Sequence, residues 1–271
     1  MITERMYKIE LETIEPLRIG GPEDPLSGIH NPVAMVGDKV AVPGSSLKGA
    51  LRFAIEQFLI DSHYDKESKS WPDTKLGFQP CIPATKFSDD EKALVDSKKY
   101  RNETCHYPCE SDERKGKDNK TVLIWKCTKR GKAGPHSICP VCYFLGTMGL
   151  GGFVRVPFLY SEISPSELYS SRIDRARSTV VTGTNRPYQL IPSATKFTGN
   201  LMILFEDTIL GWQLGKPRPI SSSDGDKWLE DKNYSPEEVI NTYIIERLKA
   251  IKILGGYKSK GFGQVRIDVI P

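Results

Sequence analysis

The sequence is short of several things. Only 38% of its 271 residues are hydrophobic, less than a globular chain usually carries. No apolar run reaches the ~18 residues that a membrane span needs. The opening residues, Met1-Ile-Thr-Glu-Arg-Met-Tyr-Lys8, hold no apolar core of the secretory-signal kind. A membrane or secreted protein is therefore not expected, and a cytoplasmic one is. There are four histidines, no HExxH, no G-x-S-x-G and no paired-carboxylate pattern. Cysteine is missing from the first 80 residues and from the last 129. No repeat recurs at a fixed period, and no tract is of low complexity. Basic residues outnumber acidic ones only by 38 to 34, which by itself does not establish a nucleic-acid partner.

What is present is organised. The length allows one large domain or two small ones. Glycine (23) and proline (19) fit a folded core that carries long polar loops. Tyr7, Ile9 and Leu11 alternate with Lys8, Glu10 and Glu12, the period of a half-buried strand. Ser45 to Ile60 reads as a helix, with Ser45 or Ser46 as N-cap and Leu47, Leu51, Ile55 and Phe58 as its buried stripe. Lys48 and Arg52 lie one turn apart beside that stripe. Phe153 to Tyr160 alternates as a strand, and Leu201 to Phe205 reads as a buried one. A second helix starts after Ser235, with Pro236 at its first position, and buries Ile240, Ile244, Leu248 and Ile251. Gly255-Gly256 ends it, and a strand from Gln264 to Ile270 follows. Residues 61 to about 135 break this order. Within 111–132 eight Lys/Arg stand against three Asp/Glu, and the segment reads as an insertion. A second basic stretch, 172–200, holds Arg172, Arg175, Arg177, Arg186 and Lys196.

Three groups of residues carry chemistry. The six cysteines, Cys81, Cys105, Cys109, Cys127, Cys139 and Cys142, are clustered as metal ligands are in a cytosolic protein. Cys139-Pro-Val-Cys142 is a C-x2-C knuckle. With Cys127 and His136 upstream it makes a four-ligand zinc set; Cys105 and Cys109 form a rival pair. Four protein ligands close the coordination sphere, so such a zinc is structural. Unligated thiols or a disulfide remain the alternative. The loop Gly255-Gly-Tyr-Lys-Ser-Lys-Gly-Phe-Gly263 offers glycines for close approach of backbone N–H groups, two lysines, and two aromatic faces, which suits an RNA backbone. A plain helix-to-strand connection would also explain it. Pro43-Gly-Ser-Ser-Leu-Lys-Gly-Ala-Leu-Arg52 feeds a helix N-terminus with two hydroxyls and two cations, a phosphate site or else an ordinary capped helix. Gly49 inside that helix costs roughly 1 kcal/mol against Ala, so something is expected to approach closely there. For acid–base chemistry the loop 20–31 offers Glu23, Asp24 and His30, which could equally be solvated loop groups.

Taken together, Arg18-Ile-Gly-Gly21, Ser27-Gly-Ile-His-Asn-Pro-Val33, Val42-Pro-Gly-Ser-Ser-Leu-Lys-Gly-Ala-Leu-Arg52, Cys139-Pro-Val-Cys142 with Phe144-Leu-Gly146, Arg172-Ile-Asp-Arg175 and Gly255 to Gly263 resemble the RAMP superfamily. Within it they are similar to the backbone subunits of type III CRISPR effector complexes, in family order from about residue 7 to 268. The resemblance implies an α+β, ferredoxin-like (RNA-recognition-type) antiparallel sheet in a single domain over 1–271. It implies a zinc-stabilised Cys-rich insertion at 61–142 and a thumb-like excursion at 172–200. It implies a guide-RNA-binding subunit in antiviral defence, stacked with other effector subunits along the guide and meeting a complementary target RNA. Arg18, Ser45, Ser46, Lys48 and Arg52 would touch guide phosphate, as would Gly255, Gly256, Lys258, Lys260, Gly261 and Gly263. Arg172 and Arg175 would belong to the thumb. Cleaving members carry an Asp where this sequence has His30, which implies binding without cutting. The other implied readings are a target-RNA endonuclease using Asp24 or His30 with Mg or Mn, and an endoribonuclease that processes repeat RNA.

Overall fold

The computed structural model describes residues 1–23, 31–84, 86–102, 104–105, 110–115, 121–126, 138–218, 226–230 and 232–271. In chain order its elements are β1 (Ile2–Thr13), β2 (Met35–Val36), β3 (Lys39–Val42), α1 (Gly44–His63), α2 (Asp89–Asp96), β4 (Glu110–Lys115) and β5 (Thr121–Lys126). Then come α3 (Pro140–Leu145), β6 (Val154–Arg155), β7 (Leu159–Ser161), β8 (Ser166–Ser170), β9 (Ile173–Asp174), β10 (Thr179–Val180) and β11 (Arg186–Leu190). The last are β12 (Lys196–Asp207), β13 (Trp212–Gln213), α4 (Pro236–Ile240), α5 (Glu246–Ala250) and β14 (Val265–Ile270). Helices with an antiparallel sheet make the fold α+β. The chain divides into two compact units interleaved in sequence. The first is Met1–Arg5, Arg52–Arg155 and Ile203–Ile244; the second is Met6–Leu51, Val156–Met202 and Ile245–Pro271.

In the second unit, which holds β1 from Met6 and β12 as far as Met202, the strands follow the order β14–β1–β12–β7–β3–β2. β1 and β14 pair antiparallel from Lys8↔Ile270 to Thr13↔Val265. Ile9 and Leu11 on β1 and Val265 and Ile267 on β14 are almost fully buried, while Lys8, Glu10 and Glu12 face outward. Because the side-chain period is 2, a slip of one residue would bring those charges to the buried face; the alternation therefore fixes the register. The run Phe153–Tyr160, expected as one strand, is two short ones, β6 and β7. Pro157 lies between them and has no N–H to give a ladder. The basic excursion is a long hairpin: β8 pairs with β11 from Ser166↔Leu190 to Ser170↔Arg186, and β9 pairs with β10 beyond them. It begins at 166 and closes at 190, and residues 196–200 already belong to β12.

In the first unit an aromatic cluster forms the core. The Trp228 ring lies 5.3 Å from Tyr143, 5.6 Å from Tyr243, 5.8 Å from Phe78 and 5.9 Å from Phe144. A fully buried ion pair stands beside it. Arg218 donates from Nε and Nη2 to the two oxygens of Asp226, both at 2.8 Å, and from Nη1 to the Gly151 carbonyl at 2.9 Å.

Both expected helices exist, with shifted details. α1 starts one residue early, because the Ser46 and Leu47 N–H groups bond to the Pro43 carbonyl; Ser45 and Ser46 therefore sit inside the first turn rather than capping it. Its buried stripe is Leu47, Leu51, Ile55 and Leu59, and Phe58 is only half-buried. Steps of four keep one face inward here, and the step of three to Phe58 turns off it. Ser235 caps α4 by accepting the Glu238 N–H at 3.1 Å. The helix continues through a π-helical turn, Asn241–Ile245, and stops at Ala250, so Gly255 and Gly256 stand beyond its end and do not terminate it.

Candidate nucleic-acid interface and cysteine centre

In the second unit the glycine-rich loop is held against Arg18. The Gly256 N–H donates to the Arg18 carbonyl at 2.8 Å, and the Gly263 N–H donates to the Pro16 carbonyl at 2.8 Å. Gly255 has φ +77°, and a Cβ there would lie 2.3 Å from the Arg18 oxygen. Gly263 has φ +92°, and its Cβ would lie 2.1 Å from the Leu254 oxygen. Only glycine fits either position. Tyr257, between them, takes the left-handed conformation at φ 59° without being glycine.

That backbone brings cations over aromatic rings. The Arg18 guanidinium carbon is 4.7 Å from the Tyr257 ring centroid, and Lys260 Nζ is 4.5 Å from the same ring. Lys260 also stands 5.9 Å from the Tyr188 ring. Tyr188, Tyr257 and Phe262 meet largely edge to face at 5.5–6.3 Å. Lys258, Lys260 and Gly261 are exposed. Arg18 Nη2 bonds to the Asn31 carbonyl at 3.3 Å, while its Nε is buried without a hydrogen-bond partner among the described residues. An aromatic-backed cluster of positive charge with an open side is what a polyanionic chain with stacking bases requires.

Ser45 and Lys48 are exposed and Ser46 is half-buried on the first turns of α1. Gly49 is exposed, and a Cβ added there would meet nothing within 4 Å, so no part of the described chain accounts for that glycine. Arg172 and Arg175 are exposed at the far end of the hairpin, where Ile173 (64%) and Val180 (60%) are also solvent-facing. Arg52 is placed differently, in the first unit: its side chain is 14% exposed, with Nη1 3.5 Å from Glu56 and Nη2 3.6 Å from the Cys142 sulfur. Asp24 and His30 lie outside the described residues. Glu23 is described and accepts the Asn31 N–H at 3.4 Å.

The first unit holds the cysteine centre. Cys81, Cys105, Cys139 and Cys142 place their sulfurs within 4.8 Å of one another, all buried and none in a disulfide. Cys139 and Cys142 come from the first turn of α3, which Pro140 opens. The Arg101 N–H bonds to the Pro80 carbonyl at 2.9 Å, and Thr104 Oγ1 bonds to the carbonyls of Ile82 and Ala84, which lays Arg101 and Thr104 beside 80–84 and brings Cys81 and Cys105 together. Four thiolates around a zinc at 2.3 Å stand about 3.8 Å apart. The sulfur–sulfur distances are 3.4 Å for Cys81–Cys142 and 3.8 Å for Cys81–Cys139, so the set fits a metal such as zinc. Cys127 and His136, expected as the second pair of ligands, lie outside the described residues. Arg101, 8% exposed, points Nη1 at the Cys105 sulfur from 3.8 Å. Burial, the largest influence on Cys139, works against its ionisation; hydrogen bonds from the other three thiols and the Arg101 charge nonetheless bring it well below the usual thiol value. Cys81 stood among the clustered cysteines but in no spaced pair, and Arg101 and Tyr188 carried no local signal: each acquires its neighbours only through folding.

The family model of the RAMP superfamily matches residues 10–266. The chain belongs to the RAMP superfamily. RAMP proteins are CRISPR-associated, and members of the family bind RNA. Among curated proteins, none matches the chain. No helix among the described residues of this RAMP protein is long and apolar enough to cross a membrane.

Proposed function

We propose that this RAMP protein is a guide-RNA-binding backbone subunit of a type III CRISPR ribonucleoprotein complex in antiviral defence, and that it holds RNA without cutting it. The observation that carries the reading is the pair of cations, Arg18 and Lys260, over one tyrosine ring beside a glycine-fixed loop. The guide would run past this loop and the first turns of α1, where Ser45, Ser46 and Lys48 offer hydroxyls and charge. The strand order β14–β1–β12–β7, with α1 between β1 and β7 and α4–α5 between β12 and β14, supports a ferredoxin-like reading of the sheet. On this reading 166–190 is the thumb, and its exposed Arg172 and Arg175 face the guide–target duplex. The partners are the guide, a complementary target RNA and further effector subunits stacked along it.

The Cys-rich insertion is stapled by a structural zinc held by Cys81, Cys105, Cys139 and Cys142. Four thiolates leave no open coordination position, so the ion contributes folding energy and no catalysis. His30 stands where cleaving relatives carry aspartate, which supports binding without cleavage.

The test is a salt titration of guide RNA binding. The logarithm of affinity should fall steeply and linearly with the logarithm of salt and vary little with sequence. An affinity that is flat between about 50 and 200 mM salt would overturn the reading.

A further inference from the structure

Two consecutive residues on the returning strand of the hairpin, Tyr188 and Gln189 on β11, are buried, 9% and 8% exposed. Successive side chains of a strand leave on opposite faces. Each of these two meets a different loop of the second unit. The Tyr188 ring stands edge-on to Tyr257 at 5.5 Å and tilted to Phe262 at 6.3 Å, both in the glycine loop. Gln189 holds the turn 31–33. Its Oε1 accepts the Val33 N–H at 3.2 Å, and its own N–H donates to the Asn31 carbonyl at 3.3 Å. Asn31 and Tyr257 both take left-handed backbone, φ 59° in each, without being glycine. Such a conformation persists only where the surroundings hold it.

The two branches meet at Arg18. Its Nη2 donates to the same Asn31 carbonyl at 3.3 Å, and its guanidinium lies over the Tyr257 ring. The contacts close a circuit that runs from Gln189 through Asn31, Arg18 and Tyr257 back to Tyr188. A long arginine side chain loses much rotamer freedom when it is held in one place. The circuit removes that freedom before a ligand arrives, which raises affinity without any new contact.

We infer that Tyr188 and Gln189 are positioning residues of the RNA site: they hold Arg18 and the glycine loop in binding geometry and touch no RNA themselves. This role rests on the RNA-binding reading above and extends it to the base of the hairpin. Substitutions along such a network, away from the ligand, change affinity by roughly 3- to 30-fold.

The experiment uses the full chain and a fluorescein-labelled single-stranded RNA of mixed sequence, with affinity read for the folded fraction. Gln189→Met removes the acceptor, Tyr188→Leu removes the ring, and Tyr188→Phe keeps it. Gln189→Met and Tyr188→Leu should each weaken binding by roughly 3- to 30-fold, and Tyr188→Phe should bind as the wild type does. Gln189→Met is then repeated in an Arg18→Gln background. There it should change affinity by less than about 2-fold, because the cation it places is gone. Gln189→Asn, one methylene shorter, withdraws the acceptor from Val33 and carries the cycle if the Met variant does not fold. Equal losses in the two backgrounds would mean that Gln189 acts on the fold at large or on RNA directly, and would overturn the inference. Wild-type affinity in either Gln189→Met or Tyr188→Leu would overturn it too, as would a loss in Tyr188→Phe equal to that in Tyr188→Leu. A wild-type chain that does not bind this RNA, or binds it with an affinity flat in salt, would overturn the RNA reading with it.

Discussion

The cysteine centre and the glycine loop treat positive charge in opposite ways. In the first unit the cations are enclosed and their counterparts are built in: Arg218 has Asp226, Arg101 has Cys105, and Arg52 has Glu56 and Cys142. In the second unit Lys258 and Lys260 are exposed, and Lys260 and Arg18 are backed by aromatic rings rather than carboxylates. A buried charge must be answered within the protein or it costs stability. An exposed charge over a ring keeps one side open to an external anion. The first pattern serves folding, and the second leaves positive charge available to a ligand, as the proposed function requires. Substitutions in the two regions should accordingly be read out on different instruments.

The largest effect is expected from taking the metal away. Structural zinc contributes about 10–16 kcal/mol in small zinc domains. After verified chelation, protease should therefore cut first between residues 81 and 142; unchanged resistance there would contradict a structural metal. Next comes Asp226→Ala, which leaves Arg218 buried without its carboxylate. It should lower the unfolding free energy by about 3–5 kcal/mol in a urea titration, with RNA affinity of the folded fraction unchanged. Glu56→Gln follows and is a matter of pH. The folded carboxyl titrates near 7, raised chiefly by burial against the opposing pull of Arg52, and its ordinary value is 4.5. It is neutral in both states at low pH, and the unfolded chain ionises first as pH rises. Stability of about 3 kcal/mol is thus lost between roughly pH 4.5 and 7. The Gln variant should gain that much relative to wild type across the interval, and parallel stability profiles would refute it. The smallest change in stability is expected from Lys258→Ala with Lys260→Ala. Stability should move by less than about 0.5 kcal/mol, while the salt slope of RNA binding drops by about two, one per lysine.

The sequence made the local features legible. The period of four through Leu47, Leu51 and Ile55 located α1, and the alternation through Ile9 and Leu11 located β1, because each buries one face of a regular element. The glycine loop and the Cys139–Cys142 knuckle were readable because their chemistry is contiguous. What was not legible depends on distant chain. Cys81 meets Cys142 across 61 residues, which no spacing rule reaches. Periodicity put Arg52 beside the buried stripe of α1 but could not say that a thiol stands opposite it. The π-helical turn inside the last helix likewise has no signature in the apolar pattern, since Ile240, Ile244 and Leu248 are buried with it as they would be without it.

The central claim is that this chain holds a guide. The protein should be purified together with its natural neighbours, and any RNA that accompanies it extracted and sequenced. The account predicts short RNAs that share a repeat-derived end. An intact complex that carries no RNA would contradict it.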